Sequence, residues 1–164
     1  MYKILAAVCL IAVAWSCAPP DTDLHVYQCI DSPKVSVDPA KVSLTPYPPD
    51  PKVPIKLDFF YDNSVGEYKS LKVDVTLEYF GNLFWKCGFH KIPIPIKNLD
   101  GCSVVNNCPL EKGVHETAAT VDLSPFATII ETLASNTYYR LNITVKDAAT
   151  KDPLSCVSAA FLLK

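Results

Sequence analysis

The residues of this 164-residue chain that hold the most chemistry are its seven cysteines and three histidines, and their spacing decides what that chemistry is. Cys102 and Cys108 stand six positions apart, just after the run KIPIPIK from Lys91 to Lys97, in which isoleucine alternates with proline. The other cysteines, Cys9, Cys17, Cys29, Cys87 and Cys156, form no CxxC pair, and no clustered histidines complete a zinc site. No metal is expected. His25, His90 and His115 are scattered, and GxSxG, HExxH and Gly-rich phosphate loops are missing from the sequence. No catalytic residues can be assigned, and the chain is expected to be no enzyme and to need no cofactor. The chemistry left to the cysteines is oxidation to disulfides, if the chain folds where disulfides persist.

The N-terminus meets that condition. Lys3, the apolar stretch from Ile4 to Val13 and the small-x-small triplet Ala12-Val13-Ala14 read as a secretory signal over residues 1–14, with cleavage as late as residue 18 the alternative. Cleavage after Ala14 leaves six cysteines and cleavage after Ala18 leaves five, and Pro19 directly downstream disfavours the later site. About ten apolar residues cannot span a bilayer, and no later run comes closer to doing so. A soluble protein is expected, secreted to the extracellular space or carried to the lysosomal lumen. A mass of 18.0 kDa fits one domain with a developed core. A formal charge of −2 and a pI near 5.9 offer no patch for nucleic acid and no polybasic membrane anchor.

The elements that must position these residues read as strands. Ile55, Leu57, Phe59 and Tyr61 alternate with Lys56, Asp58 and Asp62, with Phe60 the exception; Val73, Val75, Leu77 and Tyr79 with Lys72, Asp74, Thr76 and Glu78; Leu141, Ile143 and Val145 with Arg140, Asn142, Thr144 and Lys146. Each is the period of an antiparallel strand with one wet face. Turn signals separate them at Ser32-Pro33, Pro46 to Pro54, Asp62 to Gly66, Gly81-Asn82, Asp100-Gly101 and Asp152-Pro153. The pattern predicts an all-β, immunoglobulin-like sandwich of two antiparallel sheets with roughly seven or eight strands. One short helix or apolar loop is placed over Pro125 to Ala134, with Ser124 as its cap. If the sheets splay, the space between them becomes an apolar cavity; a filled core produces the same alternation.

Asp100 to Gly113, DGCSVVNNCPLEKG, resembles the corresponding stretch of the ML lipid-recognition family, which includes the soluble Niemann-Pick type C sterol carrier, the ganglioside activator protein and the group 2 mite allergens. Leu71 to Cys87, LKVDVTLEYFGNLFWKC, is similar to the activator's strand and turn, and the resemblance runs over residues 25–164. It implies a long-range bridge between Cys29 and Cys156 and a short one between Cys102 and Cys108; Cys87 is either free or paired with Cys17. The family's second small cysteine loop has no counterpart in Val42 to Val53, where prolines stand instead. Counting back from Cys102 puts Ile94 where the sterol carrier has a ligand-touching aromatic. Val121, Leu123 and Phe126, with Val75 and Leu77 of the central strand, are the other ligand-contact candidates the resemblance implies. On that placement, Leu77→Trp or Val121→Trp should block lipid uptake while secretion continues.

Three further positions carry two readings each. Asn142-Ile143-Thr144 is a glycosylation sequon whose asparagine falls on the polar face of its strand. His90 is a surface histidine or a trigger for ligand release in acid. Phe84 and Trp85, after Gly81-Asn82, belong on a hairpin, either in the core or touching a membrane during lipid exchange. The expected function is a carrier that holds a sterol, phospholipid or glycolipid between its sheets and moves it between membranes. The alternatives are a recognition protein that presents lipid to a membrane-protein receptor, and a filled sandwich acting as an interaction module.

Overall fold

The computed structural model describes residues 17–18, 23–94, 96–133 and 137–163; the signal segment over residues 1–14 lies outside the described residues. In chain order the strands are β1 (His25–Gln28), β2 (Val35–Val37), β3 (Ser43–Thr45), β4 (Ile55–Asn63), β5 (Leu71–Leu83), β6 (Lys86–Lys91), β7 (Leu99–Asp100), β8 (Gly113–Val121), β9 (Tyr138–Asp147) and β10 (Pro153–Leu162). Two short helices are added, α1 (Gly101–Val104) and α2 (Ala127–Leu133). One sheet runs β1-β10-β9-β5-β6 with β7 also on β5; the other has β2 and β3 along one edge of β4 and β8 along its other edge. All ladders are antiparallel. This is the two-sheet sandwich that the alternation predicts. Val73, Val75 and Leu77 of β5 and Leu141 and Ile143 of β9 turn inward and are buried.

The Ile-Pro run is not a full strand. Ile92 N–H donates to Leu77 O and Val75 N–H to Ile96 O, so the segment touches the edge of β5 at two points. Between them Ile94 N–H turns back onto Ile92 O at 2.7 Å, a three-residue turn centred on Pro93. Proline has no N–H to give to a ladder, which confines such a segment to a sheet edge. Ile92, Ile94 and Ile96 are buried while Pro93 is exposed.

The turn signal at Gly81-Asn82 also lies elsewhere. Gly81 pairs with Gly88 and Asn82 with Cys87 inside the β5–β6 ladder, and the two-residue turn is Phe84-Trp85. Both turn residues have positive φ, 49° and 66°. A hairpin loop of this kind normally takes Asn-Gly, and bulky residues in it cost of order 1 kcal/mol each in strain.

The DGC motif is structural. Asp100 Oδ1 accepts the Cys102 N–H at 3.2 Å and starts α1. A side chain on Gly101 would collide with Leu71 Cβ and with the Leu71 backbone, so only glycine lets α1 lie against β5. Cys102 then bonds to Cys108, Cys29 to Cys156 and Cys17 to Cys87.

At the other end of the chain's long connection, Ser124 does not cap the helix. The Asp122 carboxylate accepts the Ser124 N–H at 2.9 Å and so starts the 3-10 turn Ser124–Phe126 that leads into α2. The Ser124 hydroxyl first and its N–H second hold the Asp122 carboxyl below the usual carboxylate range.

The core has two halves. In the first, Leu77, Leu123, Ile130, Tyr139, Leu141 and Phe161 close-pack with the three isoleucines of the Ile-Pro run. Burial pushes the Tyr139 phenol up to about 12, and its hydroxyl donates to Ile130 O. In the second, Val35, Val37, Tyr61, Val104, Val105, Leu110 and Ala119 face one another, and most of these side chains are small.

Candidate functional site

Small side chains on both sheets leave a gap in the second half. Its walls are Val35 and Val37 of β2, Val42 just before β3, Leu57, Phe59 and Tyr61 of β4, Ala119 of β8, Val73 of β5, Ile143 and Val145 of β9, and Ser155 and Val157 of β10. Val104, Val105 and Leu110, in and just beyond the Cys102–Cys108 loop, close one end. Among the described residues none of these walls is charged. The volume of the slit is about 50 Å³. Pockets for small molecules usually run to 300–1,000 Å³, so the gap is a closed slit that must widen to admit a lipid.

The loop is fixed to the sheets on either side of the slit. Asn106 N–H donates to Ala118 O, and Val105 pairs with Ala119 in an isolated bridge. Asn63, fully buried at the end of β4, accepts the Val65 and Gly66 N–H groups and donates to Gly66 O and Glu111 O. It thereby ties the β4 turn to the chain leaving the loop.

Tyr61 separates the slit from a polar crevice formed with Asn106, Asn107, Cys108, Pro109, Glu111 and His115. The His115 ring lies 5.4 Å from the Tyr61 ring, and its Nε2 is 3.1 Å from Lys112 O. Burial pushes the Tyr61 phenol up, against a backbone hydrogen bond with Glu111.

None of the six residues expected to touch ligand lines this slit. Val75, Leu77, Ile94, Val121 and Leu123 are in the close-packed half, and Phe126 packs against it. The physical reason is volume. Tyr139, Phe161, Ile130 and the isoleucines of the Ile-Pro run fill the space in front of those six, whereas valines and Ala119 leave it open at the other end. Alternation shows that Val75 or Val121 points inward but does not show which half of the core stays open. The signal that was available is the loop's own Val104-Val105, a pair of apolar residues between two bridged cysteines.

His90 is also away from the slit. It stands on β6 with Nε2 3.1 Å from both Gly81 O and Lys86 O, 5.6 Å from the Tyr79 ring.

The sequon asparagine is half-buried and hydrogen-bonded to its neighbours. Asn142 Nδ2 donates to Glu78 Oε2 at 3.2 Å, and Asn142 Oδ1 accepts the Ser158 hydroxyl at 2.6 Å. Glu78, almost fully buried, is paired with Arg140, whose guanidinium also lies 4.1 Å over the Phe89 ring. A glycan would take one of the two Nδ2 hydrogens and would have to fit beside the Glu78–Arg140 pair, which favours an unmodified asparagine. The expected result is that Asn142 stays unmodified: enzymatic deglycosylation of protein from eukaryotic cells leaves its intact mass unchanged.

Two antiparallel sheets packed face to face, with a close-packed half and a looser half beside a disulfide loop, define the class as a β-sandwich with an apolar slit between its sheets. The ML domain family matches residues 23–163, and the chain belongs to it; the fold is a lipid-binding one. A solved structure of a Niemann-Pick type C2 protein from Japanese carpenter ant is similar at 14% identity, over 84% of this chain and 98% of that one, with a TM-score of 0.43. No curated protein matches the chain.

Proposed function

We propose that this protein is a non-enzymatic carrier that takes up one lipid in the slit between Val37, Ala119 and Val157 and moves it between membranes outside the cytosol. The observation that carries the reading is the slit itself, an uncharged, apolar space between two sheets beside the Cys102–Cys108 loop. Burying a lipid there is worth roughly 25 cal/mol per Å² of ligand surface removed from water. Entry requires the valine-lined ends of the sheets to part transiently while the aromatic half holds them together. Three disulfides fit folding in the secretory pathway and residence outside the cell or in the lysosomal lumen. Native mass spectrometry of the secreted protein, with extraction and lipid identification, tests the reading. A stoichiometric sterol, phospholipid or glycolipid supports it; a bare polypeptide after incubation with sterol and mixed-lipid vesicles overturns it and favours a protein-recognition module.

Membrane contact in this reading falls to the β5–β6 hairpin. Phe84 and Trp85 at its tip are 85% and 97% exposed, and Leu83 beside them is 40% exposed. Aromatic side chains of this kind partition into the bilayer interface, where one end is apolar and the other wet. Replacing both Phe84 and Trp85 with serine should lower sedimentation with phosphatidylcholine vesicles more than about tenfold, since each buried aromatic is worth roughly 1.5–3 kcal/mol. Lipid binding in solution should be unchanged, because Val73 of β5 lines the slit and Leu83 lies ten positions further along the strand, roughly 33 Å away.

Residence in an acidic lumen sets a condition on the ion pairs. Asp74 accepts Lys146 Nζ at 2.6 Å and the Asn98 N–H at 2.8 Å, and these two contacts hold its carboxyl below the usual range. A carboxylate lowered in the folded state stabilises at every pH above its unfolded value and loses that contribution only as pH falls through the folded one. Asp74→Asn should therefore lower the melting temperature by the same amount at pH 5 as at pH 7, with a smaller effect only in stronger acid.

A further inference from the structure

Among the described residues the other buried polar side chains have partners: Asn63 ties two loops, Glu78 pairs with Arg140, Thr117 accepts the Asn107 N–H, and Ser158 donates to Asn142. Ser155 does not. It is 4% exposed, and its hydroxyl has no hydrogen-bond partner among the described residues. Its place is specific. Ser155 lies opposite Val145 of β9, in step with the inward-facing Val157, Ala159 and Phe161 of β10, on a wall of the slit. A serine hydroxyl set among valines without a partner is a penalty to the unliganded fold, and one that a guest can remove by supplying an oxygen.

We propose that Ser155 Oγ is the polar anchor of the slit, and that it selects a neutral lipid bearing a hydroxyl, bound with that hydroxyl inward. This rests on the carrier reading and sharpens it to a ligand class. A hydroxyl matches because it both donates and accepts, as serine does. A carboxylate, sulfate or phosphate does not match, because no cation lines the slit among the described residues to offset its burial.

Displacement of the neutral fluorophore N-phenyl-1-naphthylamine by 1-hexadecanol, hexadecane and palmitate tests the assignment, since the three share a chain and differ at one end. The alcohol should displace the fluorophore about three- to tenfold more tightly than the alkane, and palmitate should be the weakest of the three. Ser155→Ala should abolish the preference of alcohol over alkane and raise the melting temperature of the unliganded protein; Ser155→Thr, which keeps a hydroxyl, should retain the preference. Equal displacement by alcohol and alkane overturns the proposal and leaves the carrier reading standing. A Ser155→Ala variant that keeps the preference, or that melts lower, also overturns it, the latter by showing a hydroxyl already satisfied by a buried water. Failure of the fluorophore and all three chains to bind overturns the carrier reading and the anchor with it.

Discussion

Val42→Trp abolishes lipid uptake and leaves the fold intact: that is the expected result of filling the slit from its rim. Val42 lines the slit, is only half-buried, and lies in the connection between the 3-10 turn Pro39–Lys41 and β3, where the backbone can adjust. An indole directed into the slit takes the place of ligand. Each 60 Å² or so of ligand surface that it keeps in water costs about tenfold in affinity. Binding of a fluorescent sterol, read alongside a thermal melt, checks the outcome. Leu77→Trp and Val121→Trp should behave differently. Both residues are packed in the filled half, so the added volume meets Tyr139 and Phe161 rather than empty space. Those variants should lose roughly 1–3 kcal/mol of stability, while whatever folds binds sterol normally. If instead they fold well and fail to bind, the ligand lies where the family resemblance put it and the slit has been misassigned.

The second large effect concerns the bridge from Cys29 to Cys156, which closes a loop of sequence separation 127. In the chain-entropy model this constrains the unfolded chain by about 5 kcal/mol, against about 2 kcal/mol for the Cys102–Cys108 loop of separation 6. Single domains are stable by only about 5–15 kcal/mol. Replacing Cys29 and Cys156 together with alanine should therefore bring the protein close to unfolding at body temperature, seen as a fall in secreted yield and a melting transition lowered by well over ten degrees. The corresponding Cys102/Cys108 double variant should fold, with a smaller shift. Its expected defect is in ligand binding, because that loop carries Val104 and Val105 into the slit. Equal melting temperatures for the two double variants would show that loop length does not govern their contribution.

The sequence revealed the long strands because β4, β5 and β9 each repeat the two-residue period enough times to be read. β2 and β3, at three residues each, are too short to show a period at all. Gly81-Asn82 misled because glycine and asparagine are the usual residues of tight turns, while the chain turns at Phe84-Trp85, where backbone preference argues against it. Part of the site was legible in the same limited sense. Residues such as Val121 and Leu77 do point inward, but whether a half-core is full depends on the summed volume of side chains from both sheets. That sum needs the pairing of β2 with β4 and the contact of the Cys102–Cys108 loop with β8, and neither is written in any one segment. Ser155 faces inward in step with Val157, Ala159 and Phe161, but β10 also buries Leu154, Cys156 and Ala160 on its other face, so the sequence alone does not show which side of the strand is the inner one.

The Ile-Pro run has one more consequence, for the behaviour of many copies together. A sheet edge with free N–H groups is a template on which another chain can lay a strand and begin a fibre. Along this edge Ile92, Ile94 and Ile96 have already given their N–H groups to Leu77, Ile92 and Ile94, and the prolines between them have none to give. An arriving strand finds no row of donors along this run, so growth of the long sheet from molecule to molecule cannot start on it.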